Sequence, residues 1–193
     1  MKSKEERISE YYSFMDDRCT VCIDILEELG FFTAPASTRF HGSYEGGLFD
    51  HSLEVAKQLV ELTEKLGLMW ERPESPYIVG MFHDLCKCDN YVKVNDLIVI
   101  RDNLGNKIET QTEDFCYANN PDIIIPGHGE KSVIMFLKFG YLTDEEIACI
   151  RWHMGAYEKD PKMWEYYGRA IEKYHNVLYT HTADMIASKI IGV

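Results

Sequence analysis

Residues 77–86 read YIVGMFHDLC, a run too apolar to face water on any side of a helix, yet it holds a histidine next to an aspartate. A buried imidazole beside a buried carboxylate is costly unless something compensates, and a metal ion is a strong compensator. The chain must therefore wrap this segment with other elements. The pattern on either side supplies them. Residues 5–29 read as one long amphipathic helix ended by Gly30, with Ile8, Tyr11, Met15, Cys19, Cys22 and Leu26 at three- and four-residue steps. A loop over 31–48 follows, and Asp50 is placed to cap a helix that runs through Leu66 and stops at Gly67. Pro73 and Pro76 precede the apolar helix, expected over 77–88.

The period then changes. Tyr91–Val94, Leu97–Arg101 and Lys107–Thr112 are rich in β-formers and separated by Asn-Asp and Asp-Asn-Leu-Gly-Asn, which are turn signals. They predict a β insertion over 91–113, either a hairpin or a three-stranded meander. Helices resume at 129–139, after Pro126-Gly127, and again after the Thr143/Glu146 capping box, with an end near Gly155. Residues 161–191 are helical with one break, near Gly168 or His175. The fold class expected is all-α with a small β excursion, as one domain over residues 1–193.

Composition narrows the functions. Asp and Glu number 32 against 20 Lys and Arg, a formal net charge of −12. Such a surface repels phosphate backbones, so duplex nucleic acid is not an expected partner. No apolar stretch has the length of a membrane span and the N-terminus lacks a signal-like core, so a cytoplasmic protein is expected. The six cysteines do not read as a disulfide framework in a chain of this size. Cys19 and Cys22 fall on the apolar stripe of the first helix, and no second pair follows at zinc-finger spacing.

The chemistry lies in the seven histidines, at 41, 51, 83, 128, 153, 175 and 181. His51 shares a face with Val55, Leu59 and Leu62; His153 follows Ile150 by about one turn; Asp184 sits among Val177, Leu178, Met185 and Ile186. One such residue is usually a hydrogen-bonded core oddity. Several on separate helices point to a common partner, and helical bundles build metal sites from such ligands.

His51, then His83-Asp84, then Asp184 resemble the H…HD…D signature of the HD-domain superfamily of metal-dependent phosphohydrolases. GGLFDHSLEVA, FHDLCK and TADMIAS carry the local likeness, and His128 in PGHGEKS and His153 in RWHMG resemble the extra histidines of its two-metal subset, as in stand-alone hydrolases of bacteria and phages. The resemblance implies a helical bundle. It implies that His51, His83, Asp84 and Asp184 hold a first divalent metal and that Asp84 bridges to a second held by His128 and His153. Iron, manganese, nickel, cobalt or zinc suits this mixed ligation. It further implies a phosphohydrolase or phosphodiesterase acting on a small phosphorylated, nucleotide-like substrate through a hydroxide activated by both metals. Two departures stand out: Cys86 replaces the usual glycine two positions after the aspartate, and the Gly-Tyr-Pro signature of cyclic-di-GMP phosphodiesterases is missing. Myo-inositol oxygenase resembles the same ligand set, so a mixed-valent di-iron oxygenase remains the alternative, with an HD exoribonuclease-like nuclease behind it and a binding module without turnover the least favoured.

Around this centre, Asp84 and Lys87 are the catalytic candidates. Lys87 is either a phosphate clamp or proton donor, or a surface lysine lying along the protein. Lys131 and Ser132, in the first turn after His128, are candidate substrate contacts or ordinary first-turn residues. Arg39 and His41 are further candidates from the preceding loop. His181 is expected to orient Asp184, His175 to face solvent, and Cys86 and Cys88 to pack. The β insertion, with Lys93, Arg101 and Lys107, is either a substrate lid, a solvent-facing hairpin or a subunit edge. Substrate, metal identity and oligomeric state are not read from the sequence.

Overall fold

The structure, a computed structural model, describes residues 1–18, 21, 23–101, 107–155 and 160–193, and for residues 17 and 96–113 it covers at most the backbone. It is mostly helical with one small sheet. In chain order come α1 (Lys4–Met15), a 3-10 turn (Asp16–Arg18), α2 (Ile23–Glu28), α3 (Gly47–Leu66), α4 (Ser75–Phe82) and the short α5 (Lys87–Asn90). Strands β1 (Tyr91–Arg101) and β2 (Lys107–Asn119) follow, then α6 (Gly129–Phe136), α7 (Asp144–Trp152), α8 (Pro161–Lys173) and α9 (Asn176–Met185), which continues into a π-helical turn, Ile186–Ile191. No helix among the described residues is long and apolar enough to cross a membrane.

α3 is the central element, packing on α4 and α9, while α7 packs on α4, α6 and α9. Leu48, Ser52, Val55 and Leu59 recur at helical spacing along its buried face. Phe31, Phe32, Phe49, Phe82 and Phe136 are fully buried around it, with Phe82 and Phe136 rings 5.0 Å apart. α1 is fastened to the first turn of α3 by Arg7, which is 2% exposed and donates to both oxygens of Asp50 at 3.2 and 3.1 Å. At the other end of the bundle, the capping-box Glu146 also accepts from Arg72 at 2.8 and 2.7 Å and from Ser75 at 2.8 Å, tying α7 to the start of α4.

Several boundaries differ from the sequence reading. The expected helix over 5–29 is broken after Met15, where Asp16 takes a φ of 48°. Tyr11, Met15 and Leu26 still face the core, whereas Cys19 and Cys22 lie outside the described residues. Asp50 is not the cap of α3: Gly46 holds that position, freeing Asp50 for Arg7. The apolar helix stops at Phe82 because residues 82–89 close with i→i−3 hydrogen bonds, Leu85 to Phe82 and Lys87 to Asp84 among them.

The insertion is a two-stranded antiparallel ribbon, not a meander, and extends to Asn119 instead of 113. The Asn95-Asp96 pair read as a turn is a register shift within β1, an irregularity the sequence cannot separate from a tight turn. The loop 102–106 lies outside the described residues. α6 ends at Phe136, α7 at Trp152, and the break in the last helical stretch falls at Tyr174-His175.

Candidate metal centre

Six side chains from five places in the chain meet at one point: His51 in α3, His83 and Asp84 in the tight turn after α4, His128 before α6, His153 after α7 and Asp184 in α9. Asp84 is the hub. Its Oδ2 lies 3.3 Å from His83 Nε2 and 3.6 Å from His51 Nε2. Its Oδ1 lies 2.7 Å from His128 Nε2 and 3.3 Å from His153 Nε2. Asp184 Oδ1 is 3.3 Å from His51 Nε2. Each oxygen of the carboxylate thus faces its own pair of imidazoles.

Three of the rings are oriented from behind. Nδ1 of His51, His83 and His153 lies 2.8, 2.8 and 2.7 Å from the carbonyl oxygens of Val193, Gly80 and Ile150. A carbonyl only accepts, so each Nδ1 carries a proton and, in the neutral ring, each Nε2 offers its lone pair to the centre. Those three Nε2 atoms are buried with no hydrogen-bond partner, despite their proximity to Asp84. Buried polar groups are rarely left so. Ligand atoms about 2.0–2.2 Å from one ion stand roughly 3.0–3.4 Å from each other in tetrahedral or octahedral arrangement. The observed separations are of that size, and His51, His83 and Asp84 could hold a metal ion, as could Asp84, Cys86 and His128.

Close backbone contact brings the pairs together. A Cβ on Gly80 would stand 2.3 Å from Ala56 Cα, so only glycine lets α4 approach α3 and set His83 beside His51. A Cβ on Gly129 would stand 2.3 Å from the Arg151 carbonyl oxygen, at the contact that sets His128 beside His153.

The charges are mutually dependent. Burial disfavours the Asp84 carboxylate, but Lys87, His83 and His128 outweigh it and hold the pKa well below the usual range. Burial likewise opposes the charge on His128, yet Asp84 dominates and pushes its pKa up to about 10. Burial pushes His153 down, and His41 down to about 4 with the help of neighbouring His51.

The centre forms one wall of a cavity of about 910 Å³, where Asp84, His128 and Asp184 are exposed to it. Lys87, which is 6% exposed with Nζ 2.5 Å from Asp84 Oδ2, lines it, as do His41 and His181. Phe40, Tyr91, Trp164 and Tyr167 give it aromatic walls, and Lys189 adds a cation.

Other sequence candidates are elsewhere. Arg39 is exposed and does not line the cavity. Lys131 is buried and engaged by Asn90 Oδ1 at 2.8 Å and by Asp89, and Ser132 Oγ accepts from the Cys86 amide at 3.1 Å. His181 does not orient Asp184; its Nδ1 donates to the His153 carbonyl at 2.7 Å. His175 is exposed, as expected. Lys93 lies over the Phe115 ring and beside Glu45, away from the centre, while Tyr91 at the ribbon's root reaches the cavity. The side chains of Arg101 and Lys107 lie outside the described residues. Sequence reading missed Trp164 and Tyr167, whose i,i+3 spacing on amphipathic α8 was the available signal, and the Val193 carbonyl, for which there was none.

No family model matches the chain, and no solved structure matches it significantly. A curated protein that does match is the dihydroneopterin 2',3'-cyclic phosphate phosphodiesterase of Methanocaldococcus jannaschii, 33% identical over 66 residues. The match covers 33% of this chain and 26% of that protein, so the chain spans about a quarter of the relative's length. A chain weakly similar to a phosphodiesterase thus carries a buried His/Asp cluster able to hold metal beside an aromatic-walled cavity.

Proposed function

We infer that the protein is a metal-dependent phosphodiesterase or phosphohydrolase of small phosphorylated substrates. One observation carries the reading: three Nε2 atoms, fixed from behind and without hydrogen-bond partners, converge on Asp84, which lines a ligand-sized cavity. His51, His83, Asp84 and Asp184 are the ligands assigned to one ion, and His128 and His153, with the second oxygen of Asp84, those of another. Bound divalent ions supply a lowered water pKa and charge neutralisation on phosphate oxygens. Lys87 faces the same cavity from beside Asp84, where its ammonium can hold a phosphate oxygen or give a proton to the departing one. His41, on the same wall, is the remaining candidate substrate contact.

The aromatic walls suit a flat heterocycle, by offset stacking on Trp164 or Tyr167. A cyclic phosphate carried on such a ring, as in the name of the similar protein, is the substrate class favoured. That similarity to a phosphodiesterase also favours hydrolysis over the di-iron oxygenase alternative. The test is an anaerobic assay of the metal-loaded protein against nucleoside 2',3'-cyclic phosphates, dihydroneopterin 2',3'-cyclic phosphate and simple phosphomonoesters. Ring opening or phosphate release without oxygen is expected; no phosphoester cleavage there, with substrate-dependent oxygen uptake in a parallel aerobic assay, would overturn the proposal.

A further inference from the structure

We propose that Cys86 is a thiolate ligand to an ion on the Asp84–His128 side of the centre. This rests on the metal-binding reading above and extends it to a mixed nitrogen, oxygen and sulfur site. Cys86 is wholly buried, and its Sγ lies with ligand atoms of Asp84 and His128, all three within 4.8 Å of one another. Asp84 Oδ1, the oxygen turned to that side, is buried and lies 2.7 Å from His128 Nε2, so the three donor atoms face one point.

The surroundings of the sulfur are those of a ligand more than of a packing residue. Asn90 Nδ2 donates to Sγ at 3.4 Å. The amide cannot readily turn over, because its Oδ1 accepts from Lys131 Nζ at 2.8 Å, and Lys131 is itself buried and paired with Asp89. A fixed N–H aimed at sulfur holds Sγ in place, as an outer partner orients a metal ligand. The Cys86 backbone is clamped to α6 by Ser132, so the sulfur is held in the cleft from which His128 projects. Lys131 and Ser132 therefore find their use in placing Cys86, not in holding substrate.

Coordination removes the thiol proton to solvent and leaves a sulfur–metal bond. Such a donor set selects zinc, cobalt or iron over magnesium, calcium or manganese at this position.

The test is stepwise loading of the metal-free protein with Co²⁺, with bound metal counted and near-ultraviolet absorption followed. The wild-type protein is expected to bind two ions per chain, one of them producing a thiolate-to-cobalt charge-transfer band. Cys86→Ser should lose the band and weaken one site by roughly tenfold or more, since losing even an outer-shell partner costs about 10–100-fold. Cys88→Ser should keep both. Cobalt bound without the band, or a band that survives Cys86→Ser, would overturn the role of Cys86 while leaving the metal centre intact. Failure to bind cobalt at all would overturn both. Should serine impair folding at this buried position, Cys86→Ala serves, and the wild-type spectrum alone decides whether any thiolate is bound.

Discussion

Asp84 divides its two oxygens between two pairs of imidazoles, so its loss should be felt on both sides of the centre. Asp84→Ala is expected to abolish metal retention in elemental analysis, whereas His128→Ala should release chiefly the ion on the Oδ1 side. Lys87 sits behind the same carboxylate, and Lys87→Met should lower kcat by about 100-fold, the scale of losing a positioned proton donor. A proton donor leaves KM nearly unchanged, whereas a phosphate clamp raises KM as well, so the kcat and KM split distinguishes the two roles given to Lys87. His128, before the start of α6, was reached only through the family resemblance, whereas His51, His83, Asp84, His153 and Asp184 were legible because each interrupts an apolar helical stripe, a local signal. Arg39, Lys131 and Ser132 were not, because their surroundings depend on where a loop turns and how α5 meets α6. Cys86 was read as packing for the same reason: a buried cysteine looks alike in sequence whether its neighbours are methyls or an asparagine amide.

Helices carry these residues, and their mutual placement depends on a few polar and steric contacts. Glu146 is wholly buried, caps its own helix and receives Arg72 and Ser75 from the approach to α4. Glu146→Leu should destabilise the protein by about 1–3 kcal/mol in urea unfolding, because it removes an acceptor from the buried Ser75 hydroxyl and the partly exposed Arg72 guanidinium. Gly129→Ala should cost about 1–3 kcal/mol by overpacking against the α7 backbone, and should weaken metal binding on the His128 side preferentially. The capping box at Thr143 and Glu146 could be read from four residues, but the second use of Glu146 could not, since Arg72 is 74 positions away. The long first helix failed as a reading because apolar periodicity continues in phase across the break at Asp16, so both pieces bury the stripe that one helix would have buried.

At the scale of the molecule, the net negative charge and the aromatic-walled cavity of about 910 Å³ favour the proposed small ligand over a long polyanion. Long RNA or DNA should not be shortened processively; robust, salt-sensitive degradation at catalytic protein concentrations would contradict this. The helical class and the β excursion followed from a change in hydrophobic period, but the cavity did not, because it is assembled from the 36–41 loop, the turn after α4, the root of the ribbon, α8 and the end of α9. The central claim is that the converging side chains hold metal. Anomalous scattering from crystals grown without chelator, recorded at the absorption edges of manganese through zinc, tests it directly. The account predicts peaks bounded by His51, His83, Asp84 and Asp184 on one side and by Asp84, His128 and His153 on the other. An ordered centre with no peak, its Nε2 atoms hydrogen-bonded to water or carboxylate instead, would contradict it.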